Sequence, residues 1–317
     1  MRPIVLLLAS SAEFNLHVVK NALLHLGADP IYVDCSFGNV NFELTIQTPD
    51  EGAVSYIECN DRRVGLSDVT GVWTRGISFA GVNPPRPGTD ENLFIAELAH
   101  SCGLLWQRLG SARWLNPIVS IRLINRLVQL EVALKNNLDV PPSIVSSSGK
   151  EILKFANHHG DCIAKRVSQG GGPEEGPAQI LTNMLPIDQK LSEYLPSPVL
   201  VQKAISKFYE LRVVVVGSHV FAAAIHSSTD SRTSVDSRAW TRTDLTYFRA
   251  RLSDEEADKL VRLNRDLGYN YSSMDLIRTP DGKLVFLEAN PSGQWTFLEA
   301  HTGYPITETM AKFLCGR

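Results

Sequence analysis

The sequence predicts an α/β and α+β protein of two or three lobes, and three observations carry that prediction. At 317 residues the chain exceeds what one hydrophobic core usually organises. It opens with a β-α-β order, the start of a parallel layer. Its second half reads mostly as hairpins. In order, Ile4 to Ala9 is a short apolar strand, Phe14 to Leu26 has helical periodicity stopping at Gly27, and Ile31 to Cys35 returns to strand. Val54 to Cys59 and Arg63 to Gly65 form a hairpin around Asn60 and Asp61, and Val69 to Thr74 is another buried strand. Pro84, Pro85, Pro87 and Gly88 mark a loop before a helix from Asn92 to Leu109. The first domain is expected to cover residues 1–117, and residues 118–317 a second, with a central lobe to about 200 and a C-terminal lobe from about 201.

Within the second domain, Ile121 to Asn136 reads as one amphipathic helix, and Ser143 to Val145 is extended after Pro141 and Pro142. Lys150 to His158 is helical and leads into a strand from Cys162 to Val167. SQGGGPEEG follows, a loop whose glycines favour mobility. Gln179 to Leu181 and Val199 to Ile205 are strands, and Glu210 to Val216 pairs with His219 to His226 about Gly217 and Ser218. Ser273 to Arg278 and Lys283 to Ala289 form a last hairpin around Thr279-Pro280-Asp281-Gly282.

Composition narrows the function classes. A net charge of −3 and a pI near 6.3 leave no electrostatic footprint for nucleic acid, and no basic run addresses anionic lipid. Cys35, Cys59, Cys102, Cys162 and Cys315 are scattered without a CxxC pair, which suits a reducing compartment and argues against zinc or redox chemistry. The apolar start is shorter than a secretory h-region, and no run is long enough to span a membrane, so a cytoplasmic location is expected.

The last hairpin carries the strongest chemical signal. Glu288 and Asn290, two residues apart on a strand, point to one face. If Thr279 closes against Gly282, Asp275 falls opposite Phe286 and diagonal to Glu288, about 7–8 Å away on that face. A one-residue bulge would change the register. Two carboxylates and an amide oxygen are the hard ligands Mg²⁺ takes, with water and substrate phosphate completing its shell. Taken alone, a solvated acidic hairpin accounts for them equally well. Lys165 shares a strand face with Ile163 and Val167, where a lysine needs an anion such as a triphosphate; an edge-strand lysine is the commoner alternative. The glycine loop Ser168 to Gly176 is placed to act as a lid. No Walker motif, GxGxxG, GxSxG or HExxH occurs. His158 and His159 are neighbours on a helix and point apart.

From about Asn116 to Leu314 the chain resembles the ATP-grasp superfamily, and within it the peptide ligases that make graspetides such as the microviridins. The motifs are NPIVSIRLINRLVQLEVALKNNLDVPPS, DCIAKRV, VLVQKAISKFYELRVVVVG, VDSR, and MDLIRTPDGKLVFLEANPSGQW with TGYPI. LSDVTGVWTRG resembles the Val-Trp-x-Arg segment of that branch's first lobe. The resemblance implies an ATP-grasp fold with a pre-ATP-grasp α/β lobe, and ATP between the central and C-terminal lobes. It also implies roles. Asp275, Glu288 and Asn290 would hold Mg²⁺, and Lys165 would bind phosphate, with Arg126 standing where a second lysine is usual. Gln202, Lys203, Ala204 and Ile205 would read adenine, Lys203 replacing the usual Glu, and Glu210 would hold the ribose hydroxyls. Arg212 and Arg238 would face the transferred phosphate and the acyl intermediate. A hairpin arginine paired with Glu210 or another carboxylate is the alternative for Arg212.

The activity so implied joins Asp or Glu side chains of a ribosomal precursor peptide to Thr, Ser or Lys side chains through acyl phosphates, with release of ADP. Two alternatives stay open: a ligase acting on a free amino acid or short peptide, and a nucleotide binder without catalysis, to which Arg126 and Lys203 point. The precursor peptide is the expected partner, and a homodimer is compatible with the sequence. Arg75, at the C-terminal end of a parallel strand, is the candidate contact for an acidic peptide, with pairing to a nearby carboxylate an equal alternative.

Overall fold

The computed structural model describes residues 2–10, 12–36, 39–40, 42–47, 54–75, 97, 100–101, 103–123, 125–165, 167, 183–184, 194–225 and 247–317. The chain divides into two compact units, residues 1–121 with 305–317, and residues 122–304.

The first unit is built on strands β1 (Ile4–Ala9), β2 (Asp29–Ser36), β3 (Asn39–Val40), β7 (Val69–Arg75) and β8 (Arg113–Leu115) in the order β3-β2-β1-β7-β8. β1 pairs in parallel with β2 and β7, and β7 with β8. Val5 to Ala9 are fully buried, as expected where a parallel strand is covered on both faces. Helix α1 (Leu16–His25) turns Leu16, Val19 and Leu23 inward. The predicted small hairpin is present as β5 (Tyr56–Cys59) and β6 (Arg62–Gly65), extended by β4 (Phe42–Thr45) into a three-stranded sheet. Asn60 and Asp61 both adopt positive φ there, the geometry of a type I′ turn.

The second unit holds two antiparallel sheets. One is ordered β11 (Asn183–Met184), β10 (Cys162–Lys165), β12 (Tyr194–Lys203), β9 (Ser143–Ser148). A helix, Gly149–His159, covers one face of it through Ile152 and Ala156 against Cys162 and Val201. The other sheet runs β15 (Tyr247–Arg249), β14 (His219–Ile225), β13 (Tyr209–Val216), β16 (Tyr271–Arg278), β17 (Leu284–Asn290). Its inner face carries Leu211, Val213, Val215, Met274, Leu276 and Phe286, covered by helices Arg126–Lys135 and Asp254–Asp266 through Leu130, Ala133, Leu260 and Leu263. The helices are numbered here α2 (Ile118–Leu123), α3 (Arg126–Lys135), α4 (Gly149–His159), α5 (Asp254–Asp266), α6 (Thr296–Thr302) and α7 (Ile306–Leu314).

Three local outcomes differ from the sequence expectation. The helix read from Ile121 to Asn136 is two helices, because Asn125 is an extended N-cap whose side chain accepts from the Val128 N–H and starts α3 afresh. The strand read from Val199 to Ile205 is β12, which begins at Tyr194 and stops at Lys203, while Gln179 to Leu181 lie outside the described residues. The last helix groups with the first unit: α7 buries Ile306, Met310, Ala311 and Leu314 and packs on α1, β7 and β8. Gly71 of β7 admits it, since a Cβ there would stand under 3.0 Å from the Leu314 carbonyl oxygen. An amphipathic terminal helix does not encode which sheet it will cover.

Candidate functional site

The site is built on the β16–β17 hairpin, whose register differs from the simple one. The turn is a residue longer: Thr279 N–H donates to Lys283 O, Gly282 N–H to Thr279 O, and Gly282 has φ +85°. Arg278 therefore pairs with Leu284 and Leu276 with Phe286. On that register alone Leu287 would face Asp275 and Glu288 would turn to the opposite face. A bulge at Leu287 corrects it, so that Asp275 pairs directly with Glu288, and Ser273 with Asn290. The two shifts add to a slip of two residues, which returns Glu288 to the face of Asp275. Asp275 and Glu288 are closer neighbours than the diagonal placement implied, and they share a face with Asn290 as the two-residue spacing required.

That face lies opposite the helix-covered core and carries a row of charge. Arg212 of β13 is the direct cross-strand partner of Asp275, with which it is ion-paired. Arg126, the first residue of α3, reaches Glu288 with Nε 2.6 Å from Oε2. These four side chains are between 16% and 23% exposed, so each pair is partly desolvated. Arg212 thus takes the carboxylate-paired position, but with Asp275 rather than Glu210. Glu210 is ion-paired with Lys207, a residue the sequence reading did not single out although it lies three residues away. The Arg212 Nε is buried with no hydrogen-bond partner among the described residues, and so is the Ser273 Oγ on the same face.

Asn290 is positioned by the loop after it. Its Oδ1 accepts from Ser292 N–H at 2.9 Å, and Gly293 N–H donates to its carbonyl. Gly293 lies so close to β16 that a Cβ there would stand under 3.0 Å from the Ser273 Cβ. Tyr271 donates its hydroxyl to Gly293 O at 2.6 Å and meets Trp295 edge to face, and both rings are buried. The segment NPSGQW is therefore a clamp that presents Asn290. From α3, Gln129 is fully buried and bonds the Ala289 backbone in both directions, fixing the strand between Glu288 and Asn290. At the far end of the hairpin, Arg278 pairs with Glu256 of α5 and holds that carboxyl below its usual range.

In the smaller sheet, Lys165 pairs with Leu200 and Ile163 with Gln202, on the face opposite α4. Lys165 is thus half-buried beside Ile163, as the alternation predicted, on the face it shares with the buried Leu200 and Gln202. The Gln202 side chain is buried and donates to Ser143 Oγ at 2.9 Å, so it ties β12 to β9. Lys203 N–H donates to Pro142 O and Ala204 N–H to Asp161 O, while the Ile205 N–H has no acceptor among the described residues. In the first unit Arg75 is buried, 7% exposed, with Nε 3.0 Å from Glu13 Oε1. Glu13 also accepts from the backbone and side chain of Asn15. Arg238 and the loop Ser168 to Gly176 lie outside the described residues.

The donor set suits Mg²⁺. Among the described residues no cluster of three or more His, Cys, Asp and Glu is present, and the hairpin offers two carboxylates and one amide oxygen. That is the ligand count of a Mg²⁺ site whose shell is completed by water and substrate phosphate. Arg212 and Arg126 beside it suit phosphate oxygens, and the unpartnered Arg212 Nε is a donor to spare.

No protein-family model matches the chain, and no curated protein does. Solved structures do. Macrocyclase MdnC of Microcystis aeruginosa MRC, bound with precursor peptide MdnA, superposes with a TM-score of 0.80 at 24% identity, over 99% of this chain and 100% of that one. A RiPP-associated ATP-grasp ligase of Chryseobacterium gregarium, in complex with ADP and a leader and core peptide, gives 0.82 at 22% identity, over 99% and 97%. Macrocyclase MdnB of Microcystis aeruginosa MRC gives 0.76 at 26% identity, over 98% and 99%. With its paired carboxylates on one sheet and its Lys165 on the other, the chain has the ATP-grasp fold, in the form found in these peptide macrocyclases and ligases.

Proposed function

We propose that the chain is an ATP-dependent carboxylate ligase that crosslinks side chains of a ribosomally made precursor peptide. The observation that carries this reading is the direct pairing of Asp275 with Glu288, with Asn290 and Arg212 on the same sheet face. Mg²⁺ held by Asp275, Glu288 and Asn290 supplies charge neutralisation at the nucleotide phosphates. Lys165, Arg126 and Arg212 bind and orient those phosphates, with Arg238 assigned to the same task by resemblance. Adenine is read by the Gln202 to Ile205 backbone, for which the Ile205 N–H is available, and Glu210 holds the ribose.

The peptide carboxylate attacks the γ-phosphorus, the bond to the β-phosphate oxygen breaks, and ADP leaves. A Thr or Ser hydroxyl or a Lys amine then attacks the acyl carbon and expels inorganic phosphate, which takes up the proton the nucleophile loses. Positioning and fixed charge supply most of the acceleration, because little covalent chemistry falls to the protein. Arg75 is assigned to the peptide, and an acidic side chain there has to compete with Glu13.

The test is incubation with ATP, Mg²⁺ and a peptide presenting Thr, Ser or Lys beside Asp and Glu, read by ADP release and intact mass. Each ring should release one ADP and lose one water. Asp275→Asn or Glu288→Gln should lower turnover by about a thousandfold, as for removal of a key electrostatic group. A product heavier by an added residue would instead identify a ligase joining separate molecules. Nucleotide binding without ADP release for any acceptor would identify a binder.

A further inference from the structure

Arg126 and Arg212 stand at the two ends of the carboxylate pair, one guanidinium to each carboxylate. Asp275 and Glu288 are direct cross-strand partners, a position in which like charges destabilise the sheet. The arginines remove that repulsion. Among the described ion pairs of this face, two positive and two negative groups, none more than 23% exposed, sum to zero. The arrangement is nevertheless incomplete, because the Arg212 Nε is buried without an acceptor among the described residues. A buried unpaired donor is unfavourable, and an anion arriving there would satisfy it.

We propose that the two guanidiniums are internal counterions of the metal ligands, released only when the metal takes their place on the carboxylates and nucleotide phosphate receives them, so that divalent metal and nucleotide bind together and each binds weakly alone. This rests on the nucleotide-and-metal reading above and adds to it an order of charge exchange. Metal alone brings two positive charges into a neutral site beside two guanidiniums. Phosphate alone draws the guanidiniums away and leaves two carboxylates facing each other. With both present, every charge has an opposite neighbour. The coupling is reciprocal by linkage: nucleotide raises metal affinity by the factor by which metal raises nucleotide affinity. A site built this way does not fill with free Mg²⁺ in the absence of ATP.

The test uses the full chain with Mn²⁺ as probe, the free ion being read by electron paramagnetic resonance, with and without saturating ADP and with Mn²⁺ held by free ADP subtracted. Wild type should gain at least about tenfold in Mn²⁺ affinity when ADP is present. Arg126→Met removes a guanidinium from Glu288 and should raise Mn²⁺ affinity without ADP several-fold, shrinking the coupling. Arg126→Gln, neutral but still a hydrogen-bond donor, should behave alike and carries the test if the Met variant does not fold. Glu288→Gln separates the two levels of the argument. If Glu288→Gln abolishes Mn²⁺ binding with ADP but both Arg126 variants leave the ADP-free affinity unchanged or lower, the counterion proposal is overturned and the metal site stands. If Glu288→Gln has no effect, the metal site itself is overturned and the proposal falls with it.

Discussion

Gly293→Ala is the most informative single change in the hairpin. The added methyl would stand under 3.0 Å from the Ser273 Cβ and 3.3 Å from both the Cβ and the carbonyl oxygen of Asn290. Neither neighbour is the far end of a flexible side chain, so the loop itself has to move. Overpacking of this kind destabilises by about 1–3 kcal/mol. Moving the loop also stretches the 2.6 Å bond from the Tyr271 hydroxyl to Gly293 O, worth about another 1 kcal/mol. The expected total is about 2–4 kcal/mol. Urea unfolding followed by tryptophan fluorescence in a variant whose only tryptophan is Trp295, which is buried against Tyr271, measures it. Removing the opposing Cβ supplies the control: Ser273→Gly combined with Gly293→Ala should recover at least half of the loss, giving a coupling energy that two independent sites would not show. Because the same loop presents Asn290, the single variant should also weaken Mn²⁺ binding in the presence of ADP. Stability within about 0.5 kcal/mol of wild type, or no recovery in the double variant, would refute the close-packing account.

Acid should destabilise the chain partly through Glu256, whose carboxyl the Arg278 guanidinium holds below its usual range and which also closes the capping box of α5 with Ser253. A depressed folded value means the contribution is complete above the unfolded value near 4.5 and is lost as pH falls through the lower folded value. The unfolding midpoint should therefore drop below about pH 5, and Glu256→Gln should flatten that drop while lowering stability near neutrality; an unchanged pH profile would remove Glu256 from the account. Gly71→Ala should lift α7 from β7, since its methyl would meet the Leu314 backbone. Hydrogen exchange over Ile306 to Leu314 should rise, with a loss of about 1–3 kcal/mol, and unchanged protection there would contradict the packing.

Much of the fold was legible because its signals are local. The apolar run of β1, the positive-φ pair Asn60 and Asp61, and the hairpin about Gly217 and Ser218 each depend on residues within one element. So do the shared face of Glu288 and Asn290 and the face of Lys165, which follow from strand alternation. The sequence by itself thus determined which chemical groups the hairpin offers and that Glu288 and Asn290 share a face. Only tertiary structure decided their partners. The bulge at Leu287 adds to a turn longer by one residue, and periodicity does not report two one-residue shifts that together restore the face. Arg126 lies 162 residues from Glu288 and Arg212 lies 63 from Asp275, so the ion pairs depend on how α3 and β13 dock on the sheet. The burial of Arg75 on Glu13 and the return of α7 to the first sheet are of the same kind. An isolated charge or amphipathic face specifies that it needs a partner, and the packed chain specifies which one.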